Sequence, residues 1–192
     1  MKEILVLVMS AVLVENFVLV KFLGICPFLG VSKKLKDALG MGAAVIFVMG
    51  LSSALAWLLN KFVLVSLGLE YLQTMVFILV IAVLVQFVEI VLKKLSPALY
   101  KALGIYLPLI STNCAVMGAV LLNLEKDHNF VESIVYGSSG GIGFTLALVL
   151  YAGVREKMEN TDIPEMFKGF PITLIGAALI SVAFFGFKGL FS

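Results

Sequence analysis

Charge, histidine and cysteine are all scarce in this chain. Only 14% of its 192 residues are Asp, Glu, Lys or Arg, and it has one histidine and two cysteines. A globular domain carries about a quarter of its residues as charges, so the means to coat a water-facing surface are missing. The net charge of +2 is too small to suggest nucleic-acid binding. Two cysteines cannot build a disulfide framework, and Cys26 and Cys114 both lie in apolar stretches. His128 sits beside Asp127 in a polar joint, where it is expected to be solvated. No nucleophile–base–acid set can be assembled, so the chain alone is no hydrolase and holds no complete active site. Nucleotide loops are missing too. Gly40-Met41-Gly42 lacks a third glycine and follows a charged loop, and no Gly-Lys-Ser/Thr follows the run from Gly137 to Gly143. Those small residues are expected to serve close helix packing. The first apolar run passes into Glu15 and Asn16 without a small-residue cleavage pattern, so no cleavable leader is expected.

What is present is apolar. Hydrophobic residues make up 61% of the chain and the mean hydropathy is +1.13, an excess that calls for a non-aqueous solvent. A membrane-crossing helix needs about 20 mostly apolar residues. Six stretches approach or reach that length: Ile4–Leu23, Leu39–Leu59, Leu72–Leu92, Ala102–Leu124, Ser133–Val154 and Ile172–Phe187. The joints between them carry charges or turn residues, and none is long enough for a soluble domain. The expectation is an all-α integral membrane protein of six transmembrane helices forming one membrane domain over residues 1–192. Lys33, Lys34, Lys36, Lys93, Lys94, Lys101, Arg155, Lys157 and Lys168 fall on one side of such a bundle. Lys2, Lys61, Lys126 and Lys188 fall on the other. Positive charge stays on the cytoplasmic side, which predicts both termini outside.

Helices one and four depart from the pattern. Helix one carries Glu15, Asn16 and Lys21, then Gly24-Ile25-Cys26-Pro27; helix four carries Pro108, then Ser111-Thr112-Asn113-Cys114. Proline removes an amide donor and disturbs the preceding turn, so each helix is expected to be interrupted near its cysteine. Such breaks are tolerated at membrane depth only where the backbone is buried in protein or lines a cavity. Both cysteines stand at the same spacing from a following glycine, Gly30 and Gly118. One belongs to the first helix of the first three, the other to the first helix of the second three. A three-helix unit reverses direction on repetition, so the chain reads as two inverted repeats, about 1–95 and 96–192. Matching interrupted segments point to a site at the repeat interface.

Buried cysteine often does no more than pack. Here the only two sit at equivalent repeat positions beside breaks, which favours ligation. Iron–sulfur clusters take four thiolates, so this chain could supply only half a shell, and a partner would have to present the rest. Zinc also accepts four thiolates and a redox dithiol needs two, so spacing does not choose among these. Glu15 and Asn16 lie deep in helix one, where ionisable groups are costly and suggest function; a polar pair that satisfies the broken helix is the competing reading.

The run Glu15-Asn-Phe-Val-Leu-Val-Lys21-Phe-Leu-Gly-Ile-Cys26-Pro-Phe-Leu-Gly30 and the run Leu103-Gly-Ile-Tyr-Leu-Pro108-Leu-Ile-Ser-Thr-Asn-Cys114 closely resemble those of Rnf complex A-type subunits. Val135-Tyr-Gly137, Arg155-Glu-Lys157 and Asp162-Ile-Pro164 add to the likeness, which spans nearly the whole chain. The E-type subunits of sodium-pumping NADH:quinone oxidoreductases are close relatives in this RnfA/NqrE family. The resemblance implies a bacterial or archaeal cytoplasmic (inner) membrane complex that passes electrons between ferredoxin and NAD+ while moving Na+ or H+. It implies that Cys26 and Cys114 ligate the iron of an intramembrane 2Fe–2S cluster. A homologous E-type subunit of opposite topology would supply two further cysteines. Flavins and other iron–sulfur clusters would belong to other Rnf subunits. Glu15 and Asn16 are candidates for the ion path. A secondary transporter of a small solute with structural cysteines, the E subunit of a sodium-translocating NADH:quinone oxidoreductase, or a purely structural anchor are the competing functions.

Overall fold

The computed structural model describes residues 2–32, 35–68, 70–95, 107–159, 161 and 164–189. Lys33, Lys34, Lys101, the Leu103–Tyr106 part of the second cysteine motif, Asp162 and Ile163 lie outside them, as does the expected start of the second repeat. Every regular element among the described residues is helical. Helix α1 (Lys2–Met9) widens into a π turn over Ser10–Val14, and α2 spans Ile25–Val31. Helix α3 (Leu35–Leu59) is prolonged by a π turn over Asn60–Leu64. Then follow α4 (Gln73–Leu95), α5 (Leu107–Ser111), α6 (Cys114–Glu125), α7 (Phe130–Glu159) and α8 (Phe170–Phe185). Four stretches are long and apolar enough to cross a membrane: Leu35–Leu64, Gln73–Val91, Pro108–Glu125 and Phe130–Met158. Ile4–Val14 and Phe170–Phe185 are shorter apolar helices.

The burial pattern is that of a protein dissolved in lipid. Along α4, Met75, Leu79, Val83 and Phe87 are 59–73% exposed, while Phe77, Ile81 and Leu84 face the core. An apolar stripe of that size on a water-soluble monomer would mark a sticky surface; against acyl chains it is neutral. The frame is the pair α3 and α7, which share the most extensive contact in the molecule. Glycines on α7 allow it. A Cβ at Gly141 would lie 2.7 Å from the Ile46 Cα, and one at Gly137 would lie 2.9 Å from the Met49 carbonyl oxygen. The Gly137–Gly143 run is therefore a packing face, as expected of small residues between membrane helices.

Both interruptions are present, and the first does not start at its proline. Pro27 stands in the first turn of α2, where helix amides have no partner and a fixed φ is an advantage; the residues before α5, which holds Pro108, lie outside the described ones. The first break begins at Glu15, well upstream of Pro27, and runs to Gly24. Phe22 (φ +56°) and Gly24 (φ +82°) both adopt left-handed backbone there. The second break is Thr112–Asn113, where the Ser111 and Thr112 hydroxyls donate to the Pro108 carbonyl at 2.9 and 3.0 Å and Asn113 is extended (ψ 110°). Hydroxyl donation to a carbonyl one turn back bends helices.

The close approach of α3 to α7 yields a test. Gly141→Ala forces a methyl onto helix backbone, and overpacking of that kind costs about 1–3 kcal/mol. Gly153→Ala, with open space around its Cβ, is expected to be neutral or slightly stabilising. Thermal unfolding of the purified protein in detergent should separate the two variants.

Candidate cysteine site at the broken helices

The site starts with two asparagines that finish what the breaks leave undone. A backbone group exposed at membrane depth without a partner costs several kcal/mol. Asn16 is fully buried. Its Oδ1 accepts from the Val18 and Leu19 amides at 3.0 and 3.2 Å. Its Nδ2 donates to the Val12 carbonyl at 3.1 Å and, across the bundle, to the Gly143 carbonyl at 2.8 Å. At the second break Asn113 Oδ1 accepts from the Ala115 amide at 3.0 Å and caps α6, while its buried Nδ2 has no partner among the described residues.

These caps bring the two cysteine segments together. The Gly24 amide donates to Cys114 Sγ at 3.2 Å. A Cβ at Gly24 would lie 2.8 Å from Asn113 Oδ1, 2.9 Å from the Phe144 ring and 3.1 Å from the Ala115 Cβ. No side chain fits there, and the positive φ excludes one independently. Phe144 lies halfway along α7, a 30-residue helix about 45 Å long, so the meeting point falls near mid-membrane. Cys114 is the first residue of α6 and Cys26 lies in the first turn of α2. Both are free thiols and both are exposed on the outside of the bundle. The glycines that follow them are engaged crosswise: Gly118 faces Leu23 of the first break, and Gly30 faces Leu109 of α5.

The donor set suits half of a thiolate cluster. A peptide N–H aimed at sulfur and the start of a 12-residue helix meet at Cys114. Two exposed sulfurs leave room for ligands from elsewhere. Among the described residues no three of His, Cys, Asp and Glu gather as a metal site.

Glu15 lies apart from the cysteines, in a polar cluster near the turn between α6 and α7. Its Oε2 accepts from Lys126 Nζ at 2.8 Å, the Tyr136 hydroxyl at 3.0 Å and Lys21 Nζ at 3.3 Å. Lys126 also lies over the Tyr136 ring. His128 is not solvated as its sequence neighbours suggested. It is half-buried, its ring meets Tyr136 edge-on at 5.1 Å, and Nδ1 lies 2.9 Å from Asn123 Oδ1. The Asn123 amide donates to the Ser133 carbonyl and the Ser53 hydroxyl. Its oxygen therefore faces the histidine, which must donate from Nδ1. Sequence could not show this, since Ser53, Asn123 and Ser133 carry no joint pattern.

Comparison with known proteins agrees with this architecture. The family model described as "Rnf-Nqr subunit, membrane protein" matches residues 4–191. The chain belongs to the Rnf-Nqr family. Its relatives include proteins named as the A-type subunit of an ion-translocating oxidoreductase complex. The one from Yersinia enterocolitica is 58% identical over 190 residues, covering 99% of this chain and 98% of the relative. The one from Edwardsiella ictaluri is 57% identical over the same span. As an Rnf-Nqr member, the chain is a membrane protein, and the cysteine motifs fall inside the matched region.

Two outcomes follow from the site. Asn16→Leu takes a partner from two amides and two carbonyls at depth and is expected to cost about 2–4 kcal/mol, read as a fall in thermal midpoint or in folded yield. His128 responds to pH. Burial, then the Lys126 charge, holds its pKa below the usual value, against weaker opposing pulls from Glu132 and Glu15. The unfolded chain then binds this proton more readily than the folded one. The His128 contribution is intact above about pH 6.5 and is lost as pH falls below it. Melting curves between about pH 7.5 and 5.5 should show that loss, and His128→Gln should flatten it.

Proposed function

We propose that this chain is a membrane subunit of an ion-translocating ferredoxin:NAD+ oxidoreductase, in which Cys26 and Cys114 hold half of a 2Fe–2S cluster. Two cysteines of a homologous E-type subunit of opposite topology complete the shell, and flavins and other iron–sulfur clusters reside on further subunits. The observation that carries this reading is the Gly24 amide bonded to Cys114 Sγ at the joined helix breaks. A pair of packing cysteines has no need of an amide donor, a steric cradle that only glycine fits, or exposure on the outer face of a bundle. Zinc would accept the same ligands; the oxidoreductase names of the relatives favour a redox group. When bound, the cluster supplies one-electron transfer.

The residues of this chain hold and tune that site. Hydrogen bonds to a ligating sulfur help set a cluster's potential, and the Gly24 amide occupies that place at Cys114. The crosswise pairs Gly118–Leu23 and Gly30–Leu109 support two inverted three-helix repeats, with α1–α2 and α5–α6 as the interrupted first helices and α8 as the sixth span. Such repeats give a scaffold with two related conformations around a fixed central site. The Lys- and Arg-rich end faces the cytoplasm, with both termini outside, in a bacterial or archaeal inner membrane. Glu15 and Asn16 belong to the ion path. Glu15 is a carboxylate within a helix break, and an entering cation would compete with Lys21 and Lys126 for its oxygen.

Electron paramagnetic resonance and iron analysis test the central reading, on this chain co-expressed with its homologous partner and reduced by dithionite. A 2Fe–2S signal lost in both Cys26→Ser and Cys114→Ser is expected. A folded pair without iron sinks it, and a solute transporter indifferent to both substitutions would take its place. Glu15→Gln should weaken the coupling of ion movement to electron transfer while leaving the signal intact; full coupling would remove Glu15 from the path.

A further inference from the structure

Two adjoining cavities lie where α7, α8 and the α7–α8 connection meet α2. The first, of about 240 Å³, is walled by Met158, Thr161, Lys168 and Ile172. The second, of about 590 Å³, is a largely apolar groove walled by Ile25, Cys26, Leu29, Gly30 and Phe170. Arg155, Gly169 and Thr173 line both, so the two form one path. Its mouth is cationic and its far end reaches Cys26. No carboxylate lines either cavity among the described residues.

Depth gives the path its meaning. From Phe144 to Arg155 the axial rise along α7 is about 16 Å, while half of the hydrocarbon thickness is about 15 Å. Arg155 and Lys168 therefore stand at headgroup level, and the groove descends from them toward the mid-membrane cysteines. Arg155 uses Nη1 to hold α2 in place, donating to the Leu29 carbonyl at 2.8 Å and the Ser32 hydroxyl at 2.9 Å. A guanidinium has five N–H donors, and the bonds of Arg155 to α2 use Nη1. Lys168 lies on the exposed turn before α8.

We propose that this path is a binding site for one anionic phospholipid. Its phosphate sits between Arg155 and Lys168, and one acyl chain lies along Leu29 and Phe170 toward Cys26. Basic pockets between membrane helices bind acidic lipid headgroups by this chemistry. A free phosphate would use the cationic mouth alone and leave the apolar groove unfilled, which is why the occupant carries acyl chains.

The test is native mass spectrometry of the intact complex, stripped of lipid in detergent and re-equilibrated with vesicles of phosphatidylglycerol or of phosphatidylcholine with the same chains. This subunit should retain phosphatidylglycerol selectively, and excess inorganic phosphate should not release it. Removing one basic group at a membrane surface weakens retention about fivefold, the fall expected for Lys168→Gln. Lys168→Glu should fall further and Lys168→Arg should bind normally. Lys36→Glu, at the same end but lining neither cavity, should leave retention unchanged. Equal retention of the two lipids, an equal loss in Lys36→Glu, or full displacement by inorganic phosphate would each overturn the proposal. So would an intact complex that retains no lipid on this subunit because another subunit fills the groove.

Discussion

The demand that every peptide group in a membrane find a partner inside the protein governs this molecule. Two of its helices stop and restart at depth, and each stop would be prohibitive in lipid without a substitute for the missing ladder bonds. Asn16 and Asn113 are those substitutes. They free the chain at mid-membrane to do what a continuous helix cannot, which is to aim a peptide N–H sideways at a sulfur on another segment. The site is a by-product of how the breaks are satisfied.

The second layer of control is distance between backbones. Helices α3 and α7 approach until a single methyl would collide with main chain, and this rigid pair fixes the level at which everything else meets. Phe144 on α7 backs Gly24, and the Gly143 carbonyl anchors Asn16. Tyr136 on the same helix holds Glu15. One long helix therefore positions both breaks, and a shift along its axis would disturb the cysteine segments and the Glu15 cluster together.

Much of this was legible in the chain, for identifiable reasons. Apolar runs of membrane length announce themselves by composition, and the Gly137–Gly143 run had no better use than packing. The cysteine breaks were visible because proline, asparagine and glycine crowd each motif. The cause of the first was not. Pro27 begins a helix, and the first break opens at Glu15 because the Asn16 amide finds a carbonyl far along the chain. Such a partner leaves no trace in local periodicity. The same holds for Glu15, whose two lysines and tyrosine come from three segments, and for His128, whose immediate neighbours are polar while its spatial ones are not.

The chain has a single tryptophan, and its placement has a practical side. The Trp57 indole donates to the His128 carbonyl at 3.0 Å, stacks edge-on with Phe130 and lies under Lys61. Indole emission shifts with polarity and is quenched by nearby groups. The protein therefore carries a built-in optical reporter at the turn linking α6 to α7. In this chain by itself, rearrangement of that end of the bundle can be followed without attaching a dye.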